Sequence, residues 1–257
     1  MTARRSLFLF AHQDDEYGAA PWILDELESG AEVACLYLTD GGSRVAPAVR
    51  DAESAKVLLS LGVAADGIVF LENAGARIAD GALAARCLDG LAMVSDWIER
   101  NARRPSRIYS PSYEGGHPDH DAAHLIAAAI ARQFGAIENA WHFALYNGYR
   151  CRKPFFSVLR QLPASGPARG AGLSADRRVR LALLCYRYPS QRKTWLGLFP
   201  GAFVERALLA RESVVRFDLA RLNARPHDGE LLYERLFGKT YAAFAGDVAE
   251  LVALLGR

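Results

Sequence analysis

The sequence predicts an α/β fold in which helices cover both faces of a mostly parallel sheet. Apolar runs of strand length alternate with helical segments through the first 147 of the 257 residues. The first run, residues 6–11, is continuously apolar, which is typical of a parallel strand covered on both faces. Turn-forming clusters and glycines separate the segments. Together these features favour a doubly wound, Rossmann-like sheet within a single domain.

The elements follow a regular order up to residue 147. The first helix is expected to end near Gly30, and Gly62 is placed to terminate the second. Residues 39–42, Thr-Asp-Gly-Gly, form a turn after the second strand. The predicted strands cover residues 6–11, 33–38, 68–71, 107–110 and 141–145. The later predicted helices cover residues 48–61, 83–101 and 119–133.

The order is less regular beyond residue 147. Residues 161–174 are rich in proline and glycine, so we expect a flexible loop and a candidate lid over a site. The chain is expected to form one domain over 1–257, with a catalytic half at 1–147 and a completing segment at 148–257. The other predicted elements are a helix over 177–188, a strand over 214–219 and an amphipathic helix over 241–255.

A histidine and three acids end the first strand, where residues 11–16 read Ala-His-Gln-Asp-Asp-Glu. Two carboxylates about 5 Å apart repel by roughly 3 kcal/mol at an effective dielectric near 20. Packing Asp14, Asp15 and Glu16 together therefore requires a nearby cation or wide solvation. A solvated surface turn is the ordinary interpretation of such a run. A divalent metal is the alternative, since His12 and Asp15 supply two ligand types of catalytic zinc sites.

A third ligand is offered by residues 114–124, which read Glu-Gly-Gly-His-Pro-Asp-His-Asp-Ala-Ala-His. Gly115 and Gly116 permit close backbone approach, and Pro118 stiffens the turn before an apolar helix. This pattern puts His120 in the first turn of that helix. Because ligands of doubly wound sheets bind beyond the carboxyl ends of the strands, the two stretches can converge on one pocket.

The two stretches together resemble the zinc-dependent sugar N-deacetylases. That family includes the N-acetylglucosaminyl-phosphatidylinositol deacetylases, the mycothiol-pathway deacetylase and the LmbE-like proteins. Its usual first motif is Ala-His-Pro-Asp-Asp-Glu, and its second is His-Pro-Asp-His. This chain carries Gln13 in place of the proline, a change that removes no ligand. The resemblance implies a zinc ion held by His12, Asp15 and His120.

The resemblance also implies roles for the residues around the metal. Asp14 would face a zinc-bound water and act as general base, since neighbouring side chains diverge on an irregular loop. His117 would support the oxyanion or the leaving group. Asp119 would fix the orientation of His117 and favour its imidazolium. Alternatively, Asp119 is only the N-cap of the following helix.

Other polar residues near the two stretches receive lesser roles. His124 follows His120 by four residues, a spacing at which two histidines of a helix can bind one zinc ion. The family has no ligand at this position, so we prefer a packing or supporting role for His124. Arg50 matches a family arginine, and its planar donors suit paired substrate hydroxyls. Glu53 would pair on the helix face, and Glu16 would orient the first stretch.

Composition limits the class of protein. No run approaches the roughly 20 apolar residues that cross a bilayer, and the short run at the start indicates a strand, not an export signal. The four cysteines are scattered, so a reducing, cytoplasmic setting is expected. Residues 152–193 carry ten cations and one acid, Asp176, and contact either phosphate, an anionic surface or only solvent. No Gly-x-Gly-x-x-Gly follows a strand, and no nucleic-acid partner is expected.

We therefore expect a metal-dependent hydrolase with Zn²⁺ as cofactor. It would remove an N-acetyl group from an N-acetylglucosamine-type sugar conjugate, with a phosphate- or lipid-linked carrier as one option. Zinc with three protein ligands leaves room for a water, lowers the pKa of that water to about 7 and polarises a carbonyl. An amidase acting on a larger acyl or thiol conjugate would use the same residues in a wider pocket. Two other classes of protein are alternatives. A metal-dependent phosphoesterase often binds two metal ions, whereas the ligands found here suffice for one. A sugar-binding module would not need the catalytic residues that the two stretches supply.

Overall fold

The computed structural model describes residues 4–42, 45–72 and 75–256. The strands in these ranges are β1 (Arg5–Phe10), β2 (Glu32–Tyr37), β3 (Ile68–Phe70), β4 (Arg107–Pro111), β5 (Ala140–Phe143), β6 (Tyr146–Asn147), β7 (Ser157–Val158), β8 (Ala168–Gly170) and β9 (Ser213–Arg216). The helices are α1 (Glu16–Glu28), α2 (Pro47–Leu61), α3 (Cys87–Arg100), α4 (Pro118–Gln133), α5 (Ala175–Ala182), α6 (Arg192–Phe203), α7 (Leu232–Phe237), α8 (Tyr241–Asp247) and α9 (Ala249–Leu255). None of these helices is long and apolar enough to cross a membrane.

Seven strands form one sheet in the order β3-β2-β1-β4-β5-β9-β8. The first five are parallel, with Phe8 of β1 beside Cys35 of β2 and Tyr109 of β4. Strand β9 runs antiparallel to β5, and β8 runs antiparallel to β9. The mostly parallel, Rossmann-like sheet is thus confirmed. Its strand order reverses at β1, so the loops after β1 and β4 leave the same edge side by side.

Both faces of the sheet are covered, which explains why β1 is apolar throughout. Leu7 and Leu9 belong to a core formed with α3, α4 and α9. Phe8 and Phe10 point to the other face and pack with α1 and α2. The C-terminal half adds a third core that includes Tyr17 of α1. This third core holds α6 against the first half of the chain, beside the carboxyl ends of the strands.

Helix boundaries follow local chemistry where the sequence carries a clear signal. Gly62 ends α2 in the left-handed conformation, with φ of +100°, as predicted. The predicted helix over 241–255 is instead two helices, because the chain leaves helical geometry at Val248. Gly246 and Asp247, both poor helix formers, precede this break. The predicted helix over 177–188 ends at Ala182 and continues as a 3₁₀ turn to Arg187.

Residues 161–174 do not have the position that we predicted for a lid. Strand β8 lies within this segment and forms the edge of the main sheet. The Arg169 guanidinium lies 5.3 Å from the Trp22 ring and 4.9 Å from the Trp141 ring. Helix α6 lines the cavity instead, and we did not predict this helix because Gly197, Pro200 and Gly201 interrupt its helical pattern.

Candidate metal centre

A cavity of about 670 Å³ opens beyond the carboxyl ends of β1 and β4. This volume is within the ~300–1,000 Å³ range of small-molecule sites. The two motif stretches form one wall, with His12, Asp14, Asp15, His117 and His120 all lining it. The opposite wall comes from residues 189–195 and Leu198. The predicted convergence of the two stretches is therefore observed.

Three donor atoms of the two stretches face one another. The Asp15 Oδ1 atom is 3.0 Å from His120 Nε2, and His12 Nδ1 is 3.2 Å from the same nitrogen. All three side chains are buried. In a tetrahedral zinc site with bonds of about 2.0–2.2 Å, ligand atoms are about 3.3 Å apart. The spacing and the mixed nitrogen and oxygen donors therefore fit one divalent ion.

Asp15 is fixed by the backbone of the strand end that precedes it. Its Oδ2 atom accepts hydrogen bonds from the backbone N–H groups of Ala11 and His12, both at 2.9 Å. Burial alone would raise the pKa of Asp15, but His120, His12 and these hydrogen bonds lower it to about 2. The carboxylate is therefore ionised at neutral pH, with Oδ1 directed at the donor cluster.

His12 is oriented by two carboxylates behind it. Its Nε2 atom is 3.2 Å from Asp119 Oδ2 and 3.1 Å from Asp80 Oδ1. Asp119 is itself held by the backbone N–H groups of Gly81 and Leu83, at 2.7 and 3.1 Å. A proton on Nε2 satisfies these carboxylates and leaves the Nδ1 lone pair directed at the donor cluster, the usual arrangement behind a metal-binding histidine.

Of the two roles predicted for the Asp119 side chain, the N-cap is wrong, because the N-cap of α4 is His117. The Asp119 carboxylate is hydrogen-bonded to His12 and lies within 4.8 Å of a His117 nitrogen, so its support of His117 stays a prediction. The His117 Nδ1 atom accepts a hydrogen bond from the Asp119 backbone N–H at 3.1 Å, so the neutral ring carries its proton on Nε2. Burial, the largest cause, lowers the pKa of His117 to about 3. The imidazolium that we expected at His117 is thus disfavoured.

Asp14 has a strained backbone, with φ of +101°, a region that non-glycine residues adopt rarely and often at functional sites. Its backbone N–H donates to Glu16 Oε2 at 2.9 Å, and its Oδ1 atom accepts from Arg50 Nη2 at 3.0 Å. Burial raises the pKa of Asp14 to about 7, although the Arg50 charge opposes this. The carboxyl group lines the cavity beside the ligand cluster.

Arg50 contacts the first stretch and also lines the cavity, so its contact with substrate hydroxyls stays a prediction. Besides Asp14, its guanidinium donates to the backbone oxygens of Gln13 and Gly41. Gln13 donates through Nε2 to Asp51 Oδ1 at 2.7 Å. Side-chain hydrogen bonds from Gln13 and Arg50 therefore hold this loop, at the position where the motif that the stretch resembles has proline.

Glu53 and Glu16 connect the first half of the chain to the C-terminal half. Glu53 accepts from the Ser190 N–H at 3.0 Å and from its hydroxyl at 2.6 Å, so the predicted pairing on the helix face is wrong. Glu16 Oε1 accepts from the Tyr188 hydroxyl at 3.0 Å. The residues around 190 are thereby fixed along the cavity wall.

His124 lies behind the site and packs against its neighbours, which is the role that we preferred for it. Its Nδ1 atom is 2.9 Å from the Pro111 backbone oxygen, and its ring stacks on Phe217 at 4.3 Å. Among the described residues it joins neither cluster of possible metal ligands. Burial lowers the pKa of His124 to about 4. A neutral, packed imidazole follows from these contacts.

The sequence did not identify three residues that contact the histidines. Asp80 contacts His12, the Tyr146 ring is 5.3 Å from the His120 ring, and the Phe237 ring meets the His117 ring edge-on at 4.7 Å. Asp80 precedes a glycine in an ordinary turn, and the other two are isolated aromatic residues. No local pattern distinguishes them.

Most cations of the basic segment 152–193 lie away from the cavity. Lys153 pairs with Glu230 at 3.0 Å, and Arg177 pairs with Glu28 at 2.5 Å. Of the ten cations of this segment, all within the described residues, only Arg192 and Lys193 are among the cavity-lining residues. The segment is therefore not one continuous patch facing the site.

We expect Gly116→Ala to lower the free energy of unfolding by about 1–3 kcal/mol, the usual cost of overpacking. A Cβ at this position would lie 2.0 Å from the Tyr146 backbone oxygen. The control is Gly172→Ala, where an added Cβ meets nothing within 4 Å. Urea unfolding of both variants measures the difference, and equal stabilities would contradict the tight packing of the second stretch.

The part of the chain that carries the two motif stretches matches a known protein family. Residues 7–131 match the PIG-L family, described as GlcNAc-PI de-N-acetylase. No curated protein matches the chain. The match covers nearly half of the chain and contains both motif stretches, whereas the segment that forms the opposite cavity wall lies outside it.

Solved structures resemble the chain over most of its length. A triple mutant of a deacetylase of the teicoplanin biosynthetic pathway has a TM-score of 0.61 at 19% identity, covering 83% of this chain and 99% of that chain. The zinc-inhibited form of teicoplanin deacetylase has a TM-score of 0.57 at 17% identity, with coverage of 83% and 99%. N,N'-diacetylchitobiose deacetylase from Pyrococcus horikoshii has 0.55 at 17%, with coverage of 84% of each chain. At these identities the likeness establishes the fold, and the similarity to the PIG-L family extends over residues 7–131.

Proposed function

We propose that this chain is a metal-dependent N-deacetylase that hydrolyses the acetamido group of an N-acetylglucosamine-type sugar conjugate. The observation that carries the proposal is the buried cluster of His12, Asp15 and His120 donor atoms in a cavity of substrate size. The PIG-L family and the deacetylases among the similar structures support the reaction class.

The charge around the cluster favours a bound cation. Asp15, Asp80 and Asp119 surround His12 and His120, and burial of so many carboxylates is costly unless positive charge compensates it. We assign His12 Nδ1, Asp15 Oδ1 and His120 Nε2 as the ligands of one zinc ion. When bound, the ion would activate a water and polarise the amide carbonyl.

Asp14 is the general base of the proposed reaction. Arg50 and Glu16 fix its side chain and its backbone, so the carboxylate can take a proton from a water that attacks from the cluster side. A base with a pKa near the working pH is the most effective, and burial of Asp14 supplies this shift. The proton can then pass to the departing amine.

His117 is proposed as a hydrogen-bond donor to the developing oxyanion. Because its Nδ1 atom accepts from the Asp119 N–H, the Nε2 proton is available to a substrate oxygen in the cavity that the ring lines. A neutral donor of this kind stabilises negative charge without changing its own protonation state. Arg50 retains an indirect role in this proposal, through its hold on Asp14.

A two-metal phosphoesterase is disfavoured by the donor geometry. The second possible cluster, His12, His117 and Asp119, shares His12 with the first. His12 faces Asp119 through Nε2, and this atom is needed as the donor to Asp119 and Asp80. One neutral imidazole cannot serve both purposes, so a single ion is the better assignment.

The test of the proposed function is a substrate screen that measures acetate release. Free, nucleotide-linked, lipid-linked and glycoside-linked N-acetylglucosamine are compared with N-acyl analogues of longer chain. Release from at least one acetylated sugar, absent in the Asp14→Asn variant, supports the proposal. Turnover of only the longer acyl conjugates would move the assignment to an amidase, and phosphate release alone would overturn it.

Metal removal is expected to abolish this activity reversibly. After chelation and dialysis, about one equivalent of Zn²⁺ per chain should restore the rate, because the three ligands define one site. Metal analysis of the purified chain against the rate gives the stoichiometry. Full activity in the chelated chain, or a requirement for two tightly bound ions, would contradict the assignment.

A further inference from the structure

Helix α6 has a wide apolar surface. Trp195 and Ala202 are buried, and Leu198 lines the cavity. Beside this buried side, Leu196, Phe199 and Phe203 recur at the i, i+3 and i+7 spacing of one helical stripe, which turns from the core at Phe199 outward to Leu196. A surface helix of a globular protein normally carries polar residues there, so this outer side requires an explanation.

The outer edge of this stripe is exposed. Leu196 is 81% exposed and neighbouring Tyr186 is 70% exposed. The Phe199 ring, which is partly buried, is 5.6 Å from the Tyr186 ring and 5.5 Å from the partly buried Phe203 ring. Leu196 and Tyr186 are therefore the exposed members of an apolar group, in contrast to the isolated exposed leucines that any protein carries.

Cations border this apolar surface at the end nearest the cavity. Arg192 lies four residues before Leu196, on the same stripe, and Lys193 follows it. Both are exposed, and in the part of the chain that the structure describes neither forms an ion pair with an acid. Arg187 adds a third exposed cation next to Tyr186. Apolar residues flanked by unpaired cations are typical of segments that lie in a membrane interface.

We propose that the outer face of α6, defined as Arg192, Lys193, Leu196, Phe199 and Phe203 with the adjoining Tyr186 and Arg187, binds the surface of an anionic lipid bilayer. The apolar side chains would enter the headgroup region, and the cations would contact lipid phosphates. Since Arg192 and Lys193 also line the cavity, this binding brings the cavity mouth to the bilayer. The inference does not depend on the proposed deacetylation.

The test is co-sedimentation of the full chain with vesicles of phosphatidylcholine alone and of phosphatidylcholine with 30 mol% (about one lipid in three) phosphatidylglycerol. We expect binding to the anionic vesicles that weakens as salt is raised. Each cation near such a surface contributes about a 5-fold gain in partitioning. The Arg192→Ala/Lys193→Ala variant should therefore lose roughly 25-fold, and Leu196→Ser about 10-fold through lost apolar burial.

Matched controls separate this face from general charge and hydrophobicity. Arg100→Ala/Arg104→Ala removes the same charge from another part of the surface, and Leu59→Ser removes a leucine that is 50% exposed. Both controls should bind like the parent. Equal losses in variants and controls, or no binding of the parent to anionic vesicles, would overturn the proposal. So would sedimentation velocity showing a parent dimer that Leu196→Ser dissociates, since a second copy would then cover the face.

Discussion

Asp14→Asn is expected to lower kcat/KM by about 10²- to 10⁴-fold, the usual contribution of a positioned general base. The amide keeps the size of the side chain and can still accept the Arg50 hydrogen bond, which is 3.0 Å long in the structure. It cannot take a proton from water. Because Asp14 supplies none of the three clustered donor atoms, the metal content should stay near that of the parent.

The pH profile distinguishes a base from a merely structural carboxylate. Asp14 acts only when ionised, so the parent rate should fall as the pH drops below the pKa of this group, and the residual rate of Asp14→Asn should lack that fall. Asp25→Asn, an exposed position on α1, serves as the control and should match the parent. A variant at position 14 that stays active, or that loses its metal, would remove the base from the proposed reaction.

The sequence was sufficient for the five parallel strands of the sheet because their signals are local. Each parallel strand is a short apolar run, and the burial of β1 on both faces follows directly from that run. The clustering of His12, Asp15 and His120 was also predictable. Strand order puts the loops after β1 and β4 side by side, and both motifs stand at those loops.

The contacts behind the ligands were not predictable, because they join distant parts of the chain. Asp119 contacts His12 because the turn at Gly81 fixes its carboxylate, and nothing in the sequence around Asp119 indicates this. Helix α6 was missed for a different reason. Its Gly197 and Pro200 lower helix propensity, yet packing in the core around Trp195 outweighs that preference.

His120→Ala is expected to remove most of the bound metal, whereas His124→Ala should leave it in place. The two histidines are one helical turn apart on α4, and both are buried. Only His120 has a ring nitrogen beside Asp15 and His12, at 3.0 and 3.2 Å. His124 is hydrogen-bonded to the Pro111 backbone oxygen. Metal analysis and titration with Zn²⁺ measure the affinity of each variant.

Asp119→Asn gives the intermediate case that tests the orientation of His12. Losing a carboxylate behind a metal-binding histidine costs about 10- to 100-fold in metal affinity, and we expect a loss of this size in Asp119→Asn. His120→Ala removes a ligand itself, so its loss of metal affinity should exceed 100-fold, or roughly 2.7 kcal/mol. Because a metal that binds the folded chain stabilises it, added Zn²⁺ should raise the melting temperature of the parent and of His124→Ala. The melting temperature of His120→Ala should not change. If His124→Ala instead lost the metal, or if Asp119→Asn bound it like the parent, the donor set would have to be reassigned, because the geometry connects Asp119 to the metal only through His12.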